Sequence, residues 1–104
     1  MTRQEVLDIL RAHLPEIKKR FGVKKLGIFG SVARDEATEG SDVDIIVEFE
    51  ETPDLFVFID LKEYLSDILH AHVDITTPKS LKPWYKKSIL SEVIYIEKSS
   101  GVPV

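Results

Sequence analysis

The chain has 104 residues, of which 43% are hydrophobic and 31% are charged, a composition typical of one small globular domain rather than of a disordered or fibrous protein. It contains no cysteine, which excludes disulfides and thiolate metal sites and fits a cytoplasmic location. The net charge of −4 argues against direct nucleic-acid binding, and no apolar run reaches the roughly 18 residues of a membrane span.

The first predicted element is a helix from Thr2 to Arg20. Thr2 and Glu5 have the spacing of a capping box, in which each residue hydrogen-bonds the backbone of the other. The apolar residues that follow recur at helical spacing: Val6, Ile9, Leu10, Leu14, Ile17 and Phe21. Pro15 is expected to kink this helix or to begin a second short one, and Gly22 is expected to end it.

A short strand is predicted from Lys25 to Phe29, with a helical turn over Ser31 to Asp35 directly after it. A polar loop then leads to a second strand from Asp42 to Phe49, which is rich in β-branched and aromatic residues. The stretch between Asp35 and Asp54 contains nine ionisable residues, all of them acidic. Such a stretch is unsuited to binding a nucleic-acid backbone, because the phosphates carry the same negative charge.

Asp54 is predicted to cap a helix from Leu55 to Leu69. Few polar residues interrupt the first two turns of this helix, so we expect it to be largely covered. A third strand is predicted from His72 to Thr76.

Ser80 is expected to cap a last helix that runs to about Leu90. Pro83 lies in the first turn of that helix, where proline is tolerated. Trp84 and Tyr85 in that helix could form an edge for base stacking or partner binding, but packing onto the sheet is the favoured interpretation. A fourth strand is predicted from Val93 to Glu97.

Helices and strands therefore alternate along the chain, which predicts an α/β fold with a small mixed sheet of about four strands flanked by helices. The short connection between the first two strands allows them to be antiparallel. The third strand follows a full helical crossover and could be parallel to the second. We expect one domain over residues 1–97 and a C-terminal tail over residues 98–104.

Asp42 and Asp44 are the most informative residues, because side chains two apart on a strand share one face of the sheet. Their Cα atoms would be roughly 6.5–7 Å apart, which lets both carboxylates reach one divalent ion or a metal pair. Asp74 has a similar apolar surrounding and would join them if the second and third strands are neighbours. Alternatively, Asp74 is a strand-end residue that bonds a loop amide. His72 would share the face of Asp74, either supporting the site indirectly or serving as a plain strand residue.

Gly30 and Ser31 precede Asp42 closely and suit phosphate binding. Gly30 lets a phosphate approach the backbone, and Ser31 adds a hydroxyl and an N–H at the start of a helical turn. Arg34 could contact phosphate, or it could pair with Asp35, Asp42 or Asp44 as a brace. Ser41 could bond a phosphate, but capping of the loop is favoured. The four candidate nucleotide-binding residues are therefore Gly30, Ser31, Arg34 and Ser41.

The Gly30-Ser31 pair, ten further residues and then Asp-Val-Asp resemble the nucleotidyltransferase fold of the DNA polymerase β superfamily. Ala33 and Arg34 extend the match, and the resemblance spans roughly residues 23–97. Within the superfamily the chain is similar to the minimal nucleotidyltransferases, especially the MntA-type antitoxins. The resemblance implies transfer of a nucleoside monophosphate from ATP to a hydroxyl, with two Mg²⁺ ions held by the catalytic residues Asp42, Asp44 and Asp74.

Members of the MntA type neutralise a HEPN-domain toxin, HepT, by binding it and adding AMP to a tyrosine, so the resemblance implies that partner and that acceptor. The small size of the chain also favours an acceptor that completes the pocket as a bound partner. Two alternatives stay open. One is an antitoxin that acts mainly by steric block, and the other is a transferase for small molecules of the aminoglycoside class.

Overall fold

The computed structural model describes residues 1–97, so the predicted tail over residues 98–104 lies outside the described part. The elements in chain order are α1 (Arg3–Phe21), β1 (Val23–Phe29), α2 (Gly30–Ala33), β2 (Val43–Phe49), α3 (Leu55–Leu69), β3 (Val73–Thr76), a 3₁₀ helix (Pro78–Ser80), α4 (Pro83–Glu92) and β4 (Ile94–Tyr95). The predicted alternation of helices and strands is confirmed.

The four strands form one mixed sheet in the order β3-β2-β1-β4. Strand β1 is antiparallel to both β2 and β4, whereas β2 and β3 are parallel. Both predicted strand directions are confirmed. The short link between β1 and β2 permits a hairpin-like return, and the crossover through α3 permits a parallel pair.

Helix α1 begins with the predicted capping box at Thr2 and ends at Gly22, which adopts the left-handed conformation with φ of 69°. The helix continues without a break through Pro15, so the prediction of a second short helix is wrong. A proline removes one helical hydrogen bond, but Leu14 and Ile17 on either side of it are fully buried. Their packing outweighs that local cost.

The core lies where α1 and α3 pack on each other and on the sheet. Its largest fully buried side chains come from both helices and from the two central strands. They include Leu10, Leu14, Ile17, Leu26, Ile28, Ile45, Leu61, Leu65 and Leu69. Burial of apolar surface of this kind supplies about 25 cal/mol per Å², so these contacts hold the helices on the sheet.

The start of α3 is more exposed than the sequence suggests. Leu55 is 68% exposed, Phe56 76% and Ile59 43%, so the expectation of a largely covered helix is wrong there. The buried side chains of α3 are spaced four residues apart, at Leu61, Leu65 and Leu69. Val57, Tyr64 and Ile68 flank this stripe and are partly buried against the core, whereas Leu55, Phe56 and Ile59 lie on the side of the helix that the core does not cover.

Helix α4 also departs from expectation. Ser80 belongs to the 3₁₀ helix, and α4 begins at Pro83 with Lys82 as a cap that makes no side-chain hydrogen bond, so the predicted cap at Ser80 is wrong. Trp84 is 81% exposed, which contradicts its expected packing onto the sheet. No helix within residues 1–97 combines the length and apolar character needed to cross a membrane.

Candidate active site

The turn at Gly30 is the point where β1 ends and α2 begins. Gly30 has φ of 73°, a left-handed conformation that favours glycine over residues with a Cβ. A Cβ at this position would also collide with the Asp44 carboxylate oxygen Oδ2. The turn therefore requires glycine for two independent reasons, and it brings backbone against a carboxylate.

Ser31 is the second residue of α2 and is half-buried. The N–H groups in the first turn of a helix have no partner within that helix, so they are suited to an anion. The Ser31 carbonyl accepts a hydrogen bond of 2.8 Å from the Glu36 backbone N–H. That bond closes the turn that follows β1.

The sheet brings the predicted carboxylates together. Asp44 on β2 is paired with Phe29 on β1 and with Asp74 on β3. Paired positions on adjacent strands lie about 4.8 Å apart and share one face. Asp42 lies just before β2, two residues from Asp44, at the same end of the strand. Asp42, Asp44 and Asp74 thus form one acidic cluster beside Gly30.

The electrostatics of this cluster are unfavourable as it stands. The pKa of Asp44 is raised first by burial and then by the negative charges of Asp74 and Asp42, while Arg34 works in the opposite direction. Ionised carboxylates at this spacing repel one another, and a cation among them would offset that repulsion.

A divalent cation fits the donor chemistry of the cluster, because carboxylate oxygens are the ligands that Mg²⁺ prefers. Within residues 1–97 no three His, Asp or Glu side chains already converge closely enough to hold one ion. Asp42 and Asp74 are exposed, so their side chains can turn. The three aspartates accordingly remain the predicted metal ligands.

His72 lies next to the cluster. Its Nδ1 atom is 3.5 Å from Asp42 Oδ1, and its carbonyl accepts a 2.9 Å hydrogen bond from the Val43 N–H. Both side chains are largely open to solvent, where ion pairs contribute little. His72 lies directly before β3 rather than within it, and an indirect role at the site stays a prediction.

Arg34 pairs with carboxylates that the sequence did not suggest. Its Nε donates to Glu36 Oε1 at 2.8 Å, and its Nη1 lies 3.1 Å from Glu92 Oε2. The expected pairing with Asp35, Asp42 or Asp44 is therefore wrong. The reason is that α4 ends beside α2 and supplies a carboxylate from far along the chain. Phosphate binding by Arg34 stays a prediction.

Ser41 behaves as the favoured interpretation predicts. Its Oγ accepts a 2.9 Å hydrogen bond from the Thr38 backbone N–H, so it caps the loop before β2. Phosphate contact by Ser41 stays a prediction.

Glu92 is the functional candidate that sequence analysis missed. It is the last residue of α4, and its Oε1 accepts a 3.0 Å hydrogen bond from the Gly30 N–H, 62 residues away in sequence. No local motif identifies such a contact. The one available signal was an acidic side chain in the last turn of a helix, where the helix dipole disfavours negative charge.

A cleft of about 370 Å³ lies away from the acidic cluster, at the opposite end of β2. It is lined by residues around Phe49, Pro53 and Pro78. Glu48, Glu50, Glu51 and Lys79 also line this cleft, but the predicted metal ligands Asp42, Asp44 and Asp74 lie at the other end of the strands. The candidate active site is therefore the open end of the strands beside Gly30.

Comparison with known proteins gives consistent matches. Residues 10–96 match the model of the nucleotidyltransferase domain family. The protein adenylyltransferase MntA of Thermococcus cleftensis is 49% identical over 96 residues, which cover 92% of this chain and 97% of that protein. A solved structure assigned as a minimal nucleotidyltransferase is 37% identical, with a TM-score of 0.76 and coverage of 90% of this chain and 95% of that one.

More distant structures share the fold alone. A toxin–antitoxin crystal structure with AMP-PNP is 19% identical, with a TM-score of 0.66 and coverage of 95% of this chain and 75% of that one. A complex of a tri-AMPylated Shewanella oneidensis HEPN toxin with its MNT antitoxin is 16% identical, with a TM-score of 0.63 and coverage of 89% and 73%.

Proposed function

The chain belongs to the nucleotidyltransferase domain family, and from that premise we propose that it uses ATP and Mg²⁺ to transfer AMP to a hydroxyl of a HEPN-type toxin and so acts as an antitoxin. The observation that carries the proposal is the position of Asp44, which lies between the Gly30 turn and Asp74 on adjacent strands. A phosphate-binding turn thereby adjoins a carboxylate cluster.

The proposed roles follow from that arrangement. Gly30 has no side chain and so lets the triphosphate approach the backbone, and Ser31 holds the triphosphate through its backbone N–H and its hydroxyl. Asp42, Asp44 and Asp74 hold two Mg²⁺ ions, which when bound would offset phosphate charge and make the acceptor hydroxyl easier to deprotonate.

The reaction forms one bond and breaks one bond at the α-phosphorus of ATP. The acceptor oxygen bonds to that phosphorus, and the bond from the phosphorus to the bridging oxygen of the β-phosphate breaks. Pyrophosphate leaves with the electron pair, and the acceptor proton passes to Asp74, the outermost of the three carboxylates in the sheet order. Asp74 is exposed, so a protein side chain can approach it.

A protein acceptor is supported by the relatives. The Thermococcus cleftensis protein is named as a protein adenylyltransferase, and the Shewanella oneidensis complex contains an AMPylated HEPN toxin. We propose a tyrosine as the acceptor, since its hydroxyl projects far enough to enter an open site. The acidic surroundings of the cluster are in keeping with a protein acceptor rather than with nucleic-acid synthesis.

The experiment uses ATP labelled on the α-phosphate or on the γ-phosphate, with Mg²⁺ and the HEPN protein encoded beside this chain. The α-label is expected on the toxin, while the γ-label is expected in pyrophosphate. Asp42→Asn/Asp44→Asn should abolish transfer, whereas Asp60→Asn/Asp67→Asn on the exposed face of α3 should leave it intact. Equal transfer by the two double variants would contradict the proposal.

A second candidate function is an antitoxin that works by binding alone. The exposed apolar residues Leu55 and Phe56 at the start of α3 favour it, because such residues are common at partner interfaces. In that case Asp42→Asn/Asp44→Asn would still neutralise the toxin at equal stoichiometry. Labelling of an aminoglycoside without a protein partner would support the small-molecule alternative instead.

A further inference from the structure

Glu92 joins the two groups at the site that suit phosphate. Its Oε1 accepts from the Gly30 N–H at 3.0 Å, and its two oxygens lie 3.3 and 3.1 Å from Arg34 Nη1. The Glu92 side chain is 28% exposed, compared with 47% for Arg34. The carboxylate is thus partly withdrawn from solvent, where its hydrogen bonds are worth more than at an open surface.

We propose that Glu92 is a positioning residue for nucleotide binding, which fixes the Gly30–Ser31 turn and orients Arg34 toward the triphosphate. This inference rests on the proposed function and deepens it. Glu92 does not touch the reacting atoms, so it acts through Gly30 and Arg34.

The short helix α2 needs such support. It contains four residues, and Phe29 at its N-cap makes no side-chain hydrogen bond. The Gly30 N–H would otherwise lack a partner, and Gly30 is held in the left-handed conformation. The Glu92 carboxylate satisfies that N–H from a different element, which makes the turn dependent on the end of α4.

The negative charge of Glu92 has a cost at this place. It adds to the charges that raise the pKa of Asp44, so it worsens the repulsion within the acidic cluster. A glutamine could accept the same hydrogen bond from Gly30 without that cost. The feature that requires a carboxylate is therefore the ion pair with Arg34.

The two carboxylates that hold Arg34 leave part of its guanidinium group available. Glu36 accepts a hydrogen bond from Nε, and Glu92 accepts one from Nη1. A guanidinium has five N–H donors in a rigid plane, and the pair on Nη2, which has no hydrogen-bond partner within residues 1–97, can meet a phosphate oxygen. Fixing the plane in advance reduces the entropy lost when the nucleotide binds.

The test measures binding of AMP-PNP with Mg²⁺ together with kcat and KM for AMP transfer. Glu92→Gln is expected to weaken AMP-PNP binding about tenfold, equivalent to about 1.4 kcal/mol, and to raise KM more than it lowers kcat. Glu92→Asp, which keeps the charge but is one methylene too short to reach both partners, should fall between Glu92→Gln and wild type. Glu97→Gln, which neutralises an exposed carboxylate away from Gly30 and Arg34, is the control and should bind like wild type.

A double-mutant cycle separates positioning from general structural support. In an Arg34→Ala background, Glu92→Gln should change AMP-PNP affinity by less than about twofold, because the arginine that Glu92 orients has already been removed. Full additivity of the two changes would overturn the proposal. Tighter binding by Glu92→Gln would also overturn it, since Glu92 would then be an internal anion competing with phosphate.

The melting temperature supplies a readout independent of activity. Glu92→Gln should unfold within a few degrees of wild type, because one partly exposed ion pair is worth about 1 kcal/mol or less. If wild type binds AMP-PNP and Glu92→Gln binds it equally well, only the role of Glu92 is overturned. If wild type itself binds no AMP-PNP, the proposed function fails together with it.

Discussion

At the scale of single residues, Gly30 carries two separate constraints. Its φ of 73° is matched by Gly22, whose φ is 69°, but the two glycines differ in their surroundings. A Cβ at Gly22 would meet no atom within 4 Å, whereas a Cβ at Gly30 would collide with the Asp44 carboxylate. The chain thereby offers an internal control for the effect of backbone strain.

Gly30→Ala is expected to reduce AMP transfer by more than about tenfold, because it displaces Asp44 as well as straining the turn. Gly22→Ala should lose a similar amount of stability through strain, about 1–2 kcal/mol, and keep its activity per folded molecule. Activity and thermal unfolding of both variants provide the comparison. Equal activity of the two variants would show that the contact between residues 30 and 44 does not matter.

Asp44 should reduce the stability of the metal-free protein. Its pKa is raised by burial and by Asp74 and Asp42, so ionisation favours the unfolded state. That penalty is absent below the ordinary aspartate pKa of about 3.9 and grows as pH rises through the raised folded value. Asp44→Asn should therefore melt higher than wild type at pH 7 in EDTA while losing activity.

Two conditions check that interpretation of Asp44. The difference in melting temperature should shrink as pH falls toward 4, and added Mg²⁺ should raise the melting temperature of wild type but not of Asp44→Asn. Asp67→Asn, exposed on α3, is the control. An Asp44→Asn variant that melts lower than wild type at pH 7 in EDTA would refute the electrostatic argument.

The sequence was sufficient to predict which residues come together when they are close in the chain or lie on neighbouring strands. Asp42 and Asp44 follow from period-two alternation, and the pairing of Asp74 with Asp44 follows from a parallel neighbour strand. Glu92 could not be found in this way, because its contact with Gly30 spans 62 residues and depends on where α4 ends. Sequence patterns do not reveal which residues so far apart in the chain come into contact.

At the scale of elements, three helix caps were predictable from signals within one turn, whereas the cap expected at Ser80 was not found. The Thr2 capping box, the Gly22 cap and the Asp54 cap all occur as predicted. The exposed start of α3 and the exposed Trp84 were not predictable, because apolar composition does not say which side of a helix another element covers. Tertiary packing decides that.

The end of α3 offers a stabilising substitution. His70 caps this helix in the left-handed conformation, with φ of 51° and ψ of 43°, which costs a residue with a Cβ about 1 kcal/mol. His70→Gly should raise the melting temperature by about 4 °C, given the usual scaling for a domain of this size. His70→Ala keeps the Cβ and should give no rise, and a gain equal to that of glycine would refute the explanation.

At the scale of the whole molecule, the sheet topology creates the candidate site. The antiparallel pair of β1 and β2 puts Gly30 beside Asp44, and the parallel pair of β2 and β3 puts Asp74 on the other side. Helix α4 then returns its last residue, Glu92, to the same edge. Residues from four separate parts of the chain thus meet at one end of one small sheet.

Binding of ATP and Mg²⁺ at this end of the sheet can be seen directly in a crystal structure with AMP-PNP and Mn²⁺. We expect anomalous Mn²⁺ signal among Asp42, Asp44 and Asp74, with the phosphates on the Gly30–Ser31 turn. Nucleotide bound instead in the cleft near Phe49 at the opposite end of β2, with no metal signal at the three aspartates, would contradict it.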